Sequence, residues 1–191
     1  MNKLVLKHDN HADSPRTWDN LGTMICFHKR YDLGDSHGYS SDDYSSWEQM
    51  EKDLIKKENT AVILPLYLYD HSVVTISTAP FSNRWDSGQV GFILVSKEKA
   101  LEEIGGKIVT AKLKQKIEKQ LEGEVETYAQ FLEGDVYGFS IEDEDGNHID
   151  SCYGFYGSDF ATNGMLDYIN HKLLGVTEAE VLELLEEAEI E

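Results

Sequence analysis

Residues 61–69 read AVILPLYLY, from Ala61 to Tyr69, and every position is apolar or aromatic. A run of that length and composition is the signature of a buried strand. Val73 to Thr78 (VVTIST) follows almost at once, alternating and β-branched, and Asp70-His71-Ser72 is short enough to join the two as a hairpin. Pro65 has no N–H to give to a ladder, so it marks an edge or a bulge. Gly88 to Val95 (GQVGFILV) supplies a further strand. The centre of the chain therefore reads as antiparallel sheet.

Working toward the N-terminus, Gly34 to Ser46 is a polar loop, and Ser45 or Ser46 can cap a helix through Trp47, Met50, Leu54 and Ile55. Thr23 to Tyr31 reads as a strand, residues 9–22 as a loop, and Leu4-Val5-Leu6 as a short strand. Toward the C-terminus, Ser96 caps a short helix that ends at Gly105-Gly106. Thr110 then opens a long one, with Leu113, Ile117, Leu121, Val125, Tyr128 and Leu132 forming one stripe. Val136 to Ile141 and His148 to Tyr156 pair through the turn Asp145-Gly146-Asn147. Residues 164–174 read as a short helix, and Thr177-Glu178-Ala179-Glu180 is a capping box opening the last one. The expected fold is α+β: a mainly antiparallel sheet of about six strands with packed helices. A single domain is expected over 1–175, with an acidic C-terminal helix at 176–191. That helix carries Val181, Leu182, Leu184, Leu185 and Ile190, which either dock on their own domain or form a homodimer seam.

The 191 residues hold 36 Asp+Glu against 17 Lys+Arg, a formal charge of -19. With 40% hydrophobic residues this is no disordered acidic tail. Two cysteines make neither a disulfide scaffold nor a four-ligand zinc site. No apolar run approaches the ~18 residues of a membrane helix, and no signal-peptide pattern opens the chain. A soluble protein of the cytoplasm is expected, without membrane association. The charge repels nucleic acid, so direct binding to DNA or RNA is not expected. Lys107, Lys112, Lys114, Lys116 and Lys119 are the one basic concentration, assigned to the solvated face of the long helix, with Glu118, Glu122, Glu124 and Glu126 behind them.

Two segments are strongly negative: Glu142-Asp143-Glu144-Asp145 at the predicted hairpin, and the tail from Glu178 to Glu191, with seven Glu and no Lys or Arg. A helical tail rising 1.5 Å per residue carries about one charge per 3 Å, close to the roughly 3.4 Å phosphate spacing of one DNA strand. Phosphate mimicry is permitted by that match. So is a merely acidic, soluble surface.

Signatures of catalysis are sparse. The chain has no G-x-x-x-x-G-K-[ST], G-x-G-x-x-G or G-x-S-x-G. Cys26 and Cys152 read as reduced core thiols. His28, His37 and His71, with Asp35 and Asp70 nearby, could in principle build a metal or acid-base site, but no pair has the spacing of a known metal motif. No catalytic residue, metal ligand or cofactor is assigned. The loop Pro80 to Gln89 (PFSNRWDSGQ), with Trp85, and Trp18-Asp19-Asn20 are polar-aromatic. Arg84 could clamp an anion or stack on a base; pairing with Asp86 or Asp70 to fasten the loops is the expectation.

The strings DSPRTWDNLGTMICFHKRYDLGD (13–35), LPLYLYDHSVVTISTAPFSNRWDSGQVGFI (64–93), GDVYGF (134–139) and DSCYGFYG (150–157) resemble a family of small acidic proteins carried by bacteriophages and mobile elements. Asn83 stands where such proteins have a cysteine. The resemblance implies a genomic setting and no catalytic residue. In size and charge such proteins resemble anti-CRISPR and antirestriction inhibitors. The expected function is inhibition of a host defence nuclease (a CRISPR effector such as Cas9, or a restriction complex) by protein binding. The partner is a basic host nucleic-acid-binding protein, met through Glu142, Asp143, Glu144, Asp145, Glu180, Glu183, Glu186 and Glu187, with Trp18, Arg84 and Trp85 as the other contact surface. The alternatives are a metal-assisted hydrolase acting on a nucleotide, and a non-enzymatic regulatory or structural phage protein.

Overall fold

The apolar centre does form strands, and the sheet it builds positions the candidate site. A computed structural model describes residues 2–190; Glu191, counted above in the acidic tail, lies outside them. In chain order the elements are β1 (Lys3–His8), β2 (Thr23–Cys26), α1 (Trp47–Lys57), β3 (Thr60–Asp70), β4 (Val74–Ser77), β5 (Ser87–Ser96), α2 (Lys97–Ile104), α3 (Ala111–Glu133), β6 (Val136–Glu142), β7 (His148–Tyr156), α4 (His171–Leu174) and α5 (Glu178–Glu187). The fold is α+β and its strand pairs are antiparallel, as expected. The strands divide, however, between two sheets, ordered β1-β6-β7 and β2-β5-β3-β4. The chain likewise divides into two compact units, residues 15–129 and residues 2–14 with 130–190.

In the unit 15–129, β3 pairs with β5 along nearly its whole length, while β4 covers only Tyr67–Asp70. Pro65 therefore sits where β3 has no β4 neighbour, next to a register shift between Leu66 and Tyr67. On that open side a missing donor costs no hydrogen bond. On the other side of β5, Cys26 of β2 faces Gly91. A Cβ on Gly91 would stand 1.9 Å from the Ile25 carbonyl oxygen, so only glycine allows this pairing. Ser46 caps α1 by accepting from the Gln49 N–H, and Met50 and Leu54 then pack on Ile25, Phe92 and Leu94. Each such burial is worth about 1.5–3 kcal/mol. Ser96 caps α2 in the same way through the Lys99 N–H.

Two predicted elements are shorter than expected. The strand from Thr23 ends at Cys26, because His28 Nδ1 accepts the backbone N–H groups of Arg30 and Tyr31 and turns the chain. The helix expected over 164–174 is a 3-10 turn at Met165–Asp167 and a separate α4. Asn163 and Asn170 each hand a side-chain oxygen to the backbone two residues on, which restarts the helix. Lys107 lies before α3 rather than on it.

In the other unit, β1-β6-β7 carries a core of Leu4, Leu6, Phe139, Ile141 and Phe155. The turn Asp143–Asn147 closes the β6–β7 hairpin as expected, with Asp143 accepting from Asp145 N and Asn147 N. Thr177 and Glu180 form the expected capping box of α5. Val181 and Leu185 are buried in that same core, so they dock on their own unit.

Candidate functional site

The polar ends of β2, β3 and β5 bring the chemistry-bearing side chains of the 15–129 unit together. Asp70 ends β3 and is the hub. Arg30 pairs with it, Tyr31 Oη donates to its Oδ1 at 3.5 Å, and His28 Nε2 lies 3.7 Å from its Oδ2. Because His28 Nδ1 accepts two backbone N–H groups, the proton of the neutral imidazole sits on Nε2, the atom that faces Asp70. His28 and Tyr31 stack with ring centroids 5.0 Å apart, and the Arg30 guanidinium lies 5.3 Å from the Tyr31 ring. A cleft of about 740 Å³ opens beside this cluster, floored by Phe27, Trp47 and Val90 and rimmed by Lys29 and Arg30.

The loop between β4 and β5 hangs beside the same cluster. Asn83 organises it: its Nδ2 donates to Asp86 Oδ2 at 2.8 Å, its Oδ1 accepts from Trp85 N at 3.1 Å, and its carbonyl accepts from Ser87 Oγ. Asp70 N donates to Asp86 O at 2.8 Å and ties the loop to β3. The loop is therefore fixed while its largest side chain is not covered: Trp85 is 96% exposed. The expected fastening by Arg84 is corrected. Arg30 takes Asp70 and Asn83 takes Asp86, while Arg84 is exposed and forms no salt bridge among the described residues. Arg30 projects from the turn after β2, in reach of the end of β3; Arg84 sits at a loop tip whose own amide side chain already answers the nearby carboxylate.

A second polar cluster, unforeseen in the sequence, holds the loops of this unit. Arg16 is 5% exposed and grips Asp35 with two nitrogens, at 3.0 and 2.6 Å. It also donates to Glu124 at 3.3 Å and to Gly22 O at 2.8 Å. Glu124 in turn accepts Leu21 N at 2.8 Å and Gly22 N at 3.0 Å, and Asp35 accepts Met24 N at 2.8 Å. These groups satisfy one another and serve structure. Next to them the Cys26 thiol is pushed up to about 12 by burial and then by the Asp35 charge, which makes it a poor nucleophile at neutral pH.

The acidic residues are only partly available. Glu142 bonds Lys7 and Ser140, which holds its carboxyl below the usual range, and Asp143 is held down by Asn147. Glu180 is committed to Thr177 through the capping box, and its carboxyl is lowered by those bonds. Glu144, Asp145, Glu183, Glu186 and Glu187 are exposed, and a hydrogen-bonded partner holds the Glu144 carboxyl below the usual range. This whole set belongs to the 2–14/130–190 unit, whereas Trp18, Arg84 and Trp85 belong to the other. Trp18 is half exposed, in the loop that Arg16 fastens.

Among the described residues, no three His, Cys, Asp or Glu side chains are grouped so as to hold a metal ion, and no helix is long and apolar enough to cross a membrane. Comparison with known proteins finds no family model, no curated protein and no solved structure that matches this chain.

Proposed function

We propose that this chain acts by binding another protein, a basic nucleic-acid-handling component of a host defence system such as a CRISPR effector or a restriction complex, and blocks it. The observation that carries the proposal is Trp85, a tryptophan 96% exposed on a loop whose backbone is already fixed by Asn83, Asp86 and Ser87. A large aromatic side chain left in water is unfavourable for the free protein. On a rigid loop it loses little entropy when a partner covers it, which is the profile of a binding anchor. The net charge of -19 selects a basic partner and speeds its approach. The resemblance to acidic phage proteins supplies the choice of a defence nuclease.

The test is affinity capture from a host lysate with a salt titration. Wild-type protein retains a basic nuclease component and releases it as salt rises. Trp85→Ala weakens that capture by about tenfold or more, and Glu144→Lys/Asp145→Lys/Glu186→Lys lowers both the capture and its salt dependence. If both variants capture and inhibit as wild type does, the proposal is wrong.

A further inference from the structure

In a chain with about twice as many acids as bases, one cleft has no acid in its lining. It lies between residues 105–110 and the first turns of α3, with a volume of about 640 Å³. Ile108 and Leu113 supply its apolar surface, and Lys107, Lys112, Lys116 and Lys119 line it. Ile108 is 71% exposed, a large aliphatic side chain left open to solvent among lysines.

The lysines also stand at the wrong end of their helix. The first turn of α3 has no acidic residue. Lys112 stands in that turn against the positive pole of the helix dipole, and it repels Lys116 at i,i+4. The mirror-image fault occurs in α5. Its last turn has no basic residue and carries Glu186 and Glu187 against the negative pole. Each helix end is charged against its own dipole, and each has the charge the other lacks.

The spacings match as well. Lys112, Lys116 and Lys119 step by four and then three along α3, on one face over about 10 Å. Read backwards, Glu187, Glu183 and Glu180 step by four and then three along α5, over the same length. Antiparallel helices bring Lys112 to Glu187, Lys116 to Glu183 and Lys119 to Glu180, and set the positive pole of α3 beside the negative pole of α5. Leu184 flanks Glu180 and Glu187; it packs against its own unit's core but is not fully covered, and that uncovered edge is what can meet Ile108 and Leu113. Glu183 and Glu187 are exposed.

We propose that this cleft is a docking site for α5 of a second copy of the chain, paired antiparallel with the first turns of α3 in the register Lys112–Glu187, Lys116–Glu183 and Lys119–Glu180. The two copies repel at long range. At about 0.15 M salt, where the Debye length is near 8 Å, that repulsion is screened more than the contact attraction.

Sedimentation velocity from about 5 to about 200 μM in about 0.15 M salt tests the idea. Wild type self-associates as concentration rises. Lys112→Glu/Lys116→Glu weakens association by about tenfold or more, and so does Glu183→Lys/Glu187→Lys. Combining the four substitutions in one chain restores it. Misfolding cannot mimic the result, because the combined variant carries every change that the monomeric ones do. A wild-type monomer throughout the range overturns the proposal, and a foreign acidic segment then becomes the candidate occupant. Self-association that neither pair of reversals weakens overturns it too, as does a combined variant that stays monomeric.

Discussion

Arg16 is the side chain whose loss reaches furthest. Its guanidinium answers two carboxylates and a carbonyl at once, and those carboxylates hold the backbone N–H groups of Leu21, Gly22 and Met24. Removing it leaves Asp35 and Glu124, both only partly exposed, without their cation, a change that costs about 2–4 kcal/mol once their remaining solvent contact is allowed for. Arg16→Ala is therefore expected to lower the melting temperature by about 10 °C, measured by circular dichroism. Arg16→Lys falls between the two, since an ammonium cannot make the two-nitrogen grip on Asp35. A loss under about 1 kcal/mol would mean that the cluster behaves as a surface ion pair. Nothing in the sequence announces this cluster. Pro15, Asn20 and Gly22 mark a loop, but Asp35 lies 19 residues away and Glu124 lies 108 away. Glu124 sits on a helix among other acids, and a one-dimensional pattern assigns it to solvent with them. Trp85 differs because its exposure depends only on its own loop, and its aromatic character among polar residues could be seen directly.

At the scale of elements, α1 offers a pH test. Asp53 lies one turn before Lys57 and accepts from Tyr44 Oη at 2.6 Å. Lys57, then Tyr44, hold its carboxyl below the usual carboxylate range. A carboxylate with a depressed folded-state value stabilises the fold above its unfolded value of about 3.9 and loses that contribution as pH falls through the depressed value. Lys57 is raised by Asp53, so its share persists below its ordinary value and is lost as pH rises through the raised one. The difference in urea midpoint between wild type and Asp53→Asn is thus expected to be flat from about pH 5 to 9, and to shrink on both sides. A constant difference down to pH 2 would show that Asp53 acts by shape alone. The elements themselves were largely legible. The Ser46, Ser96 and Thr177 caps and the runs of β3 and β5 depend on neighbours within a few residues, and they form where expected. The division into two sheets was not legible, because alternation says that a strand can pair and not which strand it pairs with. The early end of β2 depends on one histidine nitrogen turning back to its own backbone, which periodicity does not register.

For the whole molecule the governing quantity is charge. An excess of 19 negative charges on a chain of this length disfavours the compact state by self-repulsion. The repelling carboxylates are mostly exposed, so salt screens them; the Arg16 cluster is largely withdrawn from solvent and is screened less. The melting temperature should accordingly rise by about 2–5 °C between roughly 0.01 and 0.15 M salt, and level off beyond the point where the Debye length falls under the spacing of neighbouring carboxylates. A melting temperature that falls with salt would mean that exposed ion pairs such as Lys7–Glu142 and Lys57–Asp53 outweigh the general repulsion. The same series separates body charge from contact charge. Screening strengthens the fold of one chain and the approach of two copies, because both are opposed by like charges. It weakens the grip on a basic partner, because that is an attraction. A single salt axis should therefore move stability and self-association up together over the low range while it moves capture down, and a protein whose three responses ran in the same direction would not be governed by its net charge.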